Sequence, residues 1–138
     1  MKQIAAYIRA TRVAPVLQAL YRNESVSGVS CWDVRGFSRN RSTNGNAAVL
    51  QDLVNAAPYV KLEIVCADDS LSELIETIEL LAHTGNPGDG KLFVADVTRA
   101  RRISTGEHDE AAVSGPERIE PLAEPCRDTS PFDEPTDG

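Results

Sequence analysis

A glycine-rich segment between a helix-like and a strand-like pattern constrains the fold most strongly. Residues 83–91 read HTGNPGDGK, and the apolar run LFV follows at 92–94. Three glycines and one proline within six positions cannot continue a helix, and they leave backbone N–H groups without side-chain cover. Exposed amides beside Lys91 form a concave nest of positive potential that suits a phosphate. The same composition also fits an ordinary helix-to-strand loop, so this segment alone leaves both interpretations open.

The charge of the chain is concentrated towards its C-terminal end. Residues 107–138 hold ten acidic and two basic side chains, whereas residues 1–106 hold eleven acidic and twelve basic ones. The body is therefore nearly neutral, and the overall net charge of −7 gives no signal for a nucleic-acid partner. Because no signal peptide or long apolar segment is recognisable, we predict a cytoplasmic protein without direct membrane insertion.

The cysteines show no CxxC or Cys/His ligand spacing, so we predict no metal site. Cys31 and Cys66 fall in apolar, strand-like runs and are predicted to be small core residues. Cys126, in the acidic tail, is predicted to be an exposed and inert thiol.

Apolar residues alternate in some segments, which predicts strands, and recur at helical spacing in others, which predicts helices. Thr11 is predicted to cap the first helix and residues 68–70 the second. In chain order the predicted elements are a strand at 3–9, a helix at 12–22, a strand at 26–34, a loop at 36–57, a strand at 59–66, a helix at 71–81 and a strand at 91–97.

This order predicts an α+β, ferredoxin-like βαββαβ fold, in which both helices cover one face of an antiparallel four-stranded sheet. Six apolar strand residues exceed what two helices need to cover, so we predict oligomerisation through the open face. These six are Ile4, Ala6, Val60, Leu62, Ile64 and Phe93.

Two further segments stand apart from this fold. The loop at about 37–57 is too long for a routine connection and is predicted to be functional. We place the folded domain at residues 1–106 and predict that residues 107–138, which are acidic and rich in proline, are mostly disordered.

Four motifs in order resemble those of the P-II signal-transduction family. The sequence TGNPGDGKLFV at 84–94 resembles the family pattern TGxxGDGKxFV, and RISTGE at 102–107 resembles RIRTGE. VRGFSR at 34–39 resembles VKGFGR, and VKLEIV at 60–65 resembles VKIEIV. The resemblance covers about residues 2–106, and the loop has the length of the family's T-loop.

The resemblance implies a non-enzymatic homotrimer without cofactors, which binds adenine nucleotides between subunits and regulates a target protein through its T-loop. It implies that residues 87–91 cradle phosphate and that Arg99 and Arg102 reach it from the neighbouring subunit. The target would be a transporter or an enzyme. The residues that match the family's nucleotide site are Ile8, Gly28, Ser30, Gly36, Phe37, Ser38, Arg39, Glu63, Val65, Pro87, Gly88, Asp89, Gly90, Lys91, Arg99 and Arg102.

Several positions depart from the family pattern. Asn40 replaces a magnesium-holding glutamine, Tyr59 replaces the lysine that pairs with 2-oxoglutarate, and Asp52 replaces the tyrosine that enteric members uridylylate. Asn86 and Ser104 replace two cations that face the phosphates. We therefore expect ADP or AMP to be favoured, with ATP also admitted, and 2-oxoglutarate sensing to be lost.

Three other functions remain open from the sequence. Divergent members with such T-loops occur beside bicarbonate transporters and carboxysome genes, so a bicarbonate-responsive role is one hypothesis, with the anion near Arg39 or Lys61. A conventional regulator of nitrogen assimilation is the second. A slow ATP-hydrolysing enzyme is the third, although Asp89 is predicted to close the turn rather than to act as a base.

Overall fold

The computed structural model describes residues 1–36 and 57–115. A short 3-10 turn precedes each of the two long helices, at Ala10–Arg12 and at Asp68–Ser70. The strands and helices are β1 (Lys2–Arg9), α1 (Val13–Arg22), β2 (Ser30–Gly36), β3 (Ala57–Cys66), α2 (Leu71–Ala82), β4 (Gly90–Asp96) and the short α3 (Glu110–Val113).

The four strands form one antiparallel sheet in the order β2-β3-β1-β4. The connection through α1 runs from β1 to β2 and passes β3, and the connection through α2 runs from β3 to β4 and passes β1, as the ferredoxin-like arrangement requires. Tyr7 of β1 lies opposite Lys61 of β3 on one side and Lys91 of β4 on the other. Because side chains alternate along strands, these three residues share one face of the sheet. The predicted ferredoxin-like fold is confirmed.

The hydrophobic core lies between the other face of the sheet and the two long helices. Leu62 of β3, Leu20 of α1 and Leu74 of α2 are fully buried there. The remaining buried members of this core are Ile4, Ala6, Ile8, Val16, Val60, Ile64, Cys66, Ile78 and Ala82. Alternation of partly buried and fully buried residues along β1 explains why one strand contributes three of them.

The prediction about surplus apolar residues was mostly wrong. Five of the six residues, all except Phe93, belong to the helix-covered core, where α1 and α2 bury them. Phe93 alone reaches the open face, because it lies opposite Ala5 in the register of β1 and β4. It is half-exposed, at 56%.

Three further local predictions were wrong. No side chain of Thr11 or of residues 68–70 accepts a capping hydrogen bond from a helix N–H. These residues instead form the 3-10 turns that lead into the helices. The second strand begins at Ser30 rather than at residue 26, since Val26 and Val29 pack against the core from the preceding loop. Cys31 is exposed on the edge strand, whereas Cys66 is buried as predicted.

The chain continues beyond β4 as a hydrogen-bonded hairpin. The Asp109 N–H donates to the Ala100 carbonyl at 2.9 Å, and the Arg102 N–H donates to the Glu107 carbonyl at 3.0 Å. Val113 of α3 is then buried. The predicted domain boundary at Gly106 therefore falls inside this hairpin, while residues 116–138 of the predicted tail lie outside the described residues.

No helix in the described ranges has both the length and the apolar character needed to cross a membrane.

Candidate functional site: the glycine-rich turn

The turn begins where α2 ends at Ala82. His83 adopts an extended conformation, and its N–H makes the last helical hydrogen bond, to the Glu79 carbonyl at 3.1 Å. Gly85, Gly88 and Gly90 then take positive φ angles of 86°, 89° and 119°. Residues with a Cβ adopt such angles at a cost, so the spacing of the glycines determines the path of the turn.

Asp89 closes the turn through Thr84. Its carboxylate accepts a hydrogen bond from the Thr84 N–H at 2.7 Å and another from the Thr84 hydroxyl. These bonds favour the ionised form, and with a weaker contribution from Arg9 they hold the pKa of Asp89 well below its usual value of 3.8. Asp89 therefore has the contacts of a structural carboxylate that is charged at neutral pH.

Gly90 forms the junction between the turn and the sheet. A Cβ built on Gly90 would lie 1.7 Å from the carbonyl oxygen of Tyr7 in β1. No side chain fits there without separating the two strands. The close approach of the backbones places Lys91, the next residue, directly opposite Tyr7 on the open face.

Two residues of the central strands hold the turn from the other side. Arg9 donates through Nη2 to the Pro87 carbonyl, and Tyr59 donates its hydroxyl to the Gly88 carbonyl. Arg9 and Tyr59 are opposite each other where β1 pairs with β3. Sequence reasoning assigned no role to Arg9 and treated Tyr59 only as a lost lysine. The pairing of β1 with β3 would have placed the two side chains together.

Tyr59 also connects the turn to the start of the loop at 37–57. Its ring packs so closely on Gly36 that a Cβ at position 36 would lie 2.6 Å from a ring carbon. A groove of about 540 Å³ opens between these elements. Its lining includes Tyr7, Arg35, Gly36, Tyr59, Gly88 and Lys91. The structure thus brings Gly36 together with the predicted phosphate turn.

Other predicted nucleotide-site residues lie elsewhere in the protomer. Ile8 is buried on the helix-covered face, and Gly28 lines a separate cavity of about 930 Å³ beside α1. Ser30 begins the edge strand β2, opposite Glu63 of β3. Val65 follows on the same face of β3 as Glu63, because the two are separated by one buried residue.

The two arginines after β4 differ in their surroundings. Arg99 is exposed. Arg102 has a side chain only 12% exposed, because it contacts Glu107 at 2.8 Å and donates to the Ala112 carbonyl at 3.2 Å. The hairpin of the same protomer therefore holds Arg102. The predicted site residues Phe37, Ser38 and Arg39 lie outside the described residues.

The open face of the sheet carries an aromatic cluster formed by Tyr7, Phe93 and Trp32 with Lys61 between them. Tyr7 and Phe93 make an edge-to-face contact with centroids 6.1 Å apart. The Lys61 ammonium lies 5.9 Å from the Tyr7 ring and 5.2 Å from the Trp32 ring, and it pairs with Glu63 at 3.3 Å. The open face is therefore partly apolar, and the Lys61 ammonium on it is paired with the Glu63 carboxylate.

The structure defines an α+β protein with a ferredoxin-like sheet and a glycine-rich turn that leads into β4 beside Lys91. The sequence profile of the family described as "Nitrogen regulatory protein P-II" matches residues 1–107. The chain belongs to the P-II family, whose members are signalling regulators, so the resemblance drawn from the four motifs is confirmed.

Curated relatives agree with this assignment. The chain is 39% identical over 113 residues to the nitrogen regulatory protein P-II of Klebsiella oxytoca and to the nitrogen regulatory protein P-II 1 of Escherichia coli. It is 38% identical over 116 residues to the nitrogen regulatory protein GlnK of Escherichia coli. Each match covers 82% of this chain and the whole length of the relative.

Proposed function

We propose that this protein is a non-enzymatic P-II-type regulator that binds adenine nucleotides between the subunits of a homotrimer and acts on a partner through the loop at 37–57. One observation carries the proposal: hydrogen bonds from Thr84 and Tyr59 hold the glycine turn closed beside Lys91 and next to Gly36. A turn that the protein's own hydrogen bonds hold in place lowers the ordering cost of binding a phosphate.

Isothermal titration with ADP tests the nucleotide site. Lys91→Ala removes the cation at the turn, whereas Lys2→Ala removes a lysine at the opposite end of β1, where Lys2 pairs with Asp96. We expect ADP binding to the wild type and to Lys2→Ala, and at least a tenfold loss in Lys91→Ala, since a charge-assisted hydrogen bond contributes roughly 1.5–3 kcal/mol. Equal affinities of the two variants would contradict the assignment of the turn.

ADP or AMP is the proposed preferred ligand, with ATP also bound. Asn86 and Ser104 supply no cation for a third phosphate, and the hairpin already engages Arg102 through Glu107. A titration series of adenosine, AMP, ADP and ATP measures what each phosphate adds. We expect the gain in affinity to stop at the second phosphate. A further large gain with ATP would contradict the proposal.

Loss of 2-oxoglutarate sensing is the second part of the proposal. The hydroxyl of Tyr59 cannot provide the positive charge that pairs with a carboxylate, and here it is bound to the Gly88 carbonyl. Adding 2-oxoglutarate to a Mg-ATP titration should leave the ATP affinity unchanged. Tight Mg-ATP binding that increases with 2-oxoglutarate would refute it.

Trimer formation is supported by the open face of the sheet. Phe93 and Trp32 are 56% and 47% exposed there in a single protomer, and association would bury both. Light scattering after size-exclusion chromatography measures the mass directly. A monomeric mass of 14.9 kDa at micromolar concentration would refute the trimer.

A bicarbonate-responsive role in carbon uptake is a finer proposal about the same site. Lys61 lies on the open face within reach of a small anion, although the anion would have to share it with Glu63. Arg39, the other proposed anion contact, lies outside the described residues. Titration of the ADP complex with bicarbonate tests the idea. An unchanged ADP affinity up to millimolar bicarbonate would exclude it.

Two alternatives keep specific support. The printed names of the relatives, nitrogen regulatory proteins, favour a conventional role in nitrogen assimilation, and a 2-oxoglutarate response would select that role. Slow ATP hydrolysis would instead appear as phosphate release that Lys91→Ala abolishes. The closure of the turn by Asp89 argues against this residue as a catalytic base.

A further inference from the structure

Two adjacent carbonyl groups of the turn are held by side chains from the central strands. Arg9 donates to the Pro87 carbonyl and Tyr59 to the Gly88 carbonyl. Arg9 is the last residue of β1 and lies directly opposite Tyr59 in β3. Both contacts therefore come from one rigid part of the sheet, and they hold two consecutive peptide groups of the turn.

The orientation of these carbonyls determines the orientation of the turn's amides. A trans peptide group is planar, and its C=O and N–H bonds point in opposite directions. The structure contains no cis peptide in the described ranges. Holding the carbonyls of Pro87 and Gly88 against the sheet therefore directs the N–H groups of Gly88 and Asp89 away from it. Residues 87 and 88 form a hydrogen-bonded turn, and within residues 1–36 and 57–115 the Gly88 N–H has no hydrogen-bond acceptor.

Arg9 also offsets the negative charge of the turn. Its Nε lies 3.2 Å from Oδ1 of Asp89, and both side chains are partly buried, at 30% and 21% exposed. An anion that approaches the outward Gly88 N–H would otherwise meet the uncompensated carboxylate of Asp89, and like charges at short range oppose binding. The Arg9 guanidinium therefore has two effects. It orients the peptide group that carries the Gly88 N–H, and it reduces the repulsion between Asp89 and an approaching anion.

We propose that Arg9 and Tyr59 are positioning residues that fix the turn at Pro87 and Gly88 so that the outward Gly88 N–H faces the phosphates of a nucleoside diphosphate. The inference rests on the proposed nucleotide site and deepens it. Arg9 and Tyr59 themselves contact the turn and not the ligand. Their effect is therefore specific to the phosphates and absent for the uncharged nucleoside.

The variant Tyr59→Phe isolates the contribution of one hydroxyl. The ring remains to pack on Gly36, and only the hydrogen bond to the Gly88 carbonyl is lost. Tyr21→Phe is a matched control, because Tyr21 is 92% exposed on α1 and loses the same atom. Calorimetry with ADP and with adenosine should show roughly a fivefold loss of ADP affinity in Tyr59→Phe, the size of one hydrogen bond. Adenosine affinity should not change, and the control should behave as the wild type.

Arg9→Ala extends the test. This variant loses both the hydrogen bond to the Pro87 carbonyl and the positive charge that pairs with Asp89. ADP affinity should therefore fall further than in Tyr59→Phe. Hydrogen exchange of the turn amides in the ligand-free protein gives a readout that does not depend on the nucleotide. Exchange of the hydrogen-bonded Thr84 and Asn86 amides should accelerate in Tyr59→Phe and not in Tyr21→Phe.

The outcomes separate the two proposals. If the wild type fails to bind ADP, the proposed function is refuted. The proposal that Arg9 and Tyr59 position the turn for phosphates is then refuted with it. ADP binding that is equal in the wild type and Tyr59→Phe would overturn the positioning role alone. An equal loss for adenosine and ADP would also overturn it, because it would show a general structural effect.

Discussion

Gly90 joins the turn to the sheet, and its replacement by alanine provides a sharp test of this geometry. The new Cβ would lie 1.7 Å from the Tyr7 carbonyl oxygen, while the shortest contacts seen for real Cβ atoms are near 3.0 Å. The start of β4 must therefore move from β1 by about 1.3 Å. Gly85→Ala is the matched control, since Gly85 also has a positive φ but open space where its Cβ would lie.

The magnitude follows from two terms. A residue with a Cβ at a positive φ costs on the order of 1–3 kcal/mol, and both variants carry this term. Gly90→Ala in addition disrupts the end of the β1–β4 ladder, where Ile8 lies opposite Gly90 and Tyr7 opposite Lys91. With about 1 kcal/mol for each hydrogen bond lost there, we expect Gly90→Ala to lower the free energy of unfolding by about 2 kcal/mol more than Gly85→Ala.

Urea unfolding followed by the fluorescence of Trp32 measures this difference. Trp32 is the sole tryptophan of the chain and lies on β2, so its signal reports the integrity of the sheet. The protomer concentration must be equal in all samples, because association adds to apparent stability. Equal unfolding free energies for the two variants would refute the steric argument. The displaced Lys91 should also weaken ADP binding in Gly90→Ala.

Three further predictions concern the turn, the core and the open face. The lowered pKa of Asp89 means that its contribution to the closed turn is complete above the ordinary value of 3.8 and is lost as the pH falls through the folded value. Hydrogen exchange of the turn, corrected for the intrinsic exchange rate at each pH, should show constant protection from pH 7 down to about 4 and falling protection from about 4 down to 2 in the wild type, and Asp89→Asn should abolish this dependence. Leu62→Ala should lower the free energy of unfolding by about 2–5 kcal/mol in urea titrations, because the leucine is fully buried, and a loss below 1 kcal/mol would contradict the assigned core. Phe93→Ala should weaken self-association in analytical ultracentrifugation and leave the far-ultraviolet spectrum unchanged, since the ring is half-exposed in the protomer. Unaltered association would exclude this face as the interface.

Much of the fold was predictable because it depends on local patterns. Alternation in β3, with Leu62 and Ile64 pointing inwards, and helical spacing up to Leu81 each identify an element within one stretch of sequence. The order of these elements then indicated the ferredoxin-like arrangement. The turn was equally visible, because glycines at 85, 88 and 90 are required by the positive φ angles found there.

The sequence was less informative wherever the outcome depended on distant residues. Val26 resembles a strand residue locally, but it packs on the core from a loop. Cys31 alternates like a core residue, yet β2 is an edge strand and leaves it exposed. Thr11 is a good capping residue whose position was taken by a 3-10 turn. In each case tertiary packing, and not local preference, decided the result.

By itself, the sequence determined the element types, their order and the presence of a turn with exposed amides, because glycine spacing and apolar periodicity act over a few residues. Only the tertiary structure placed Arg9 beside Tyr59 and both against the carbonyls of Pro87 and Gly88. Arg9 is 78 residues from Pro87 in the sequence, and Tyr59 is 29 residues from Gly88. The register of the strands brings each pair together. The direction in which the turn presents its amides is therefore a property of the folded sheet.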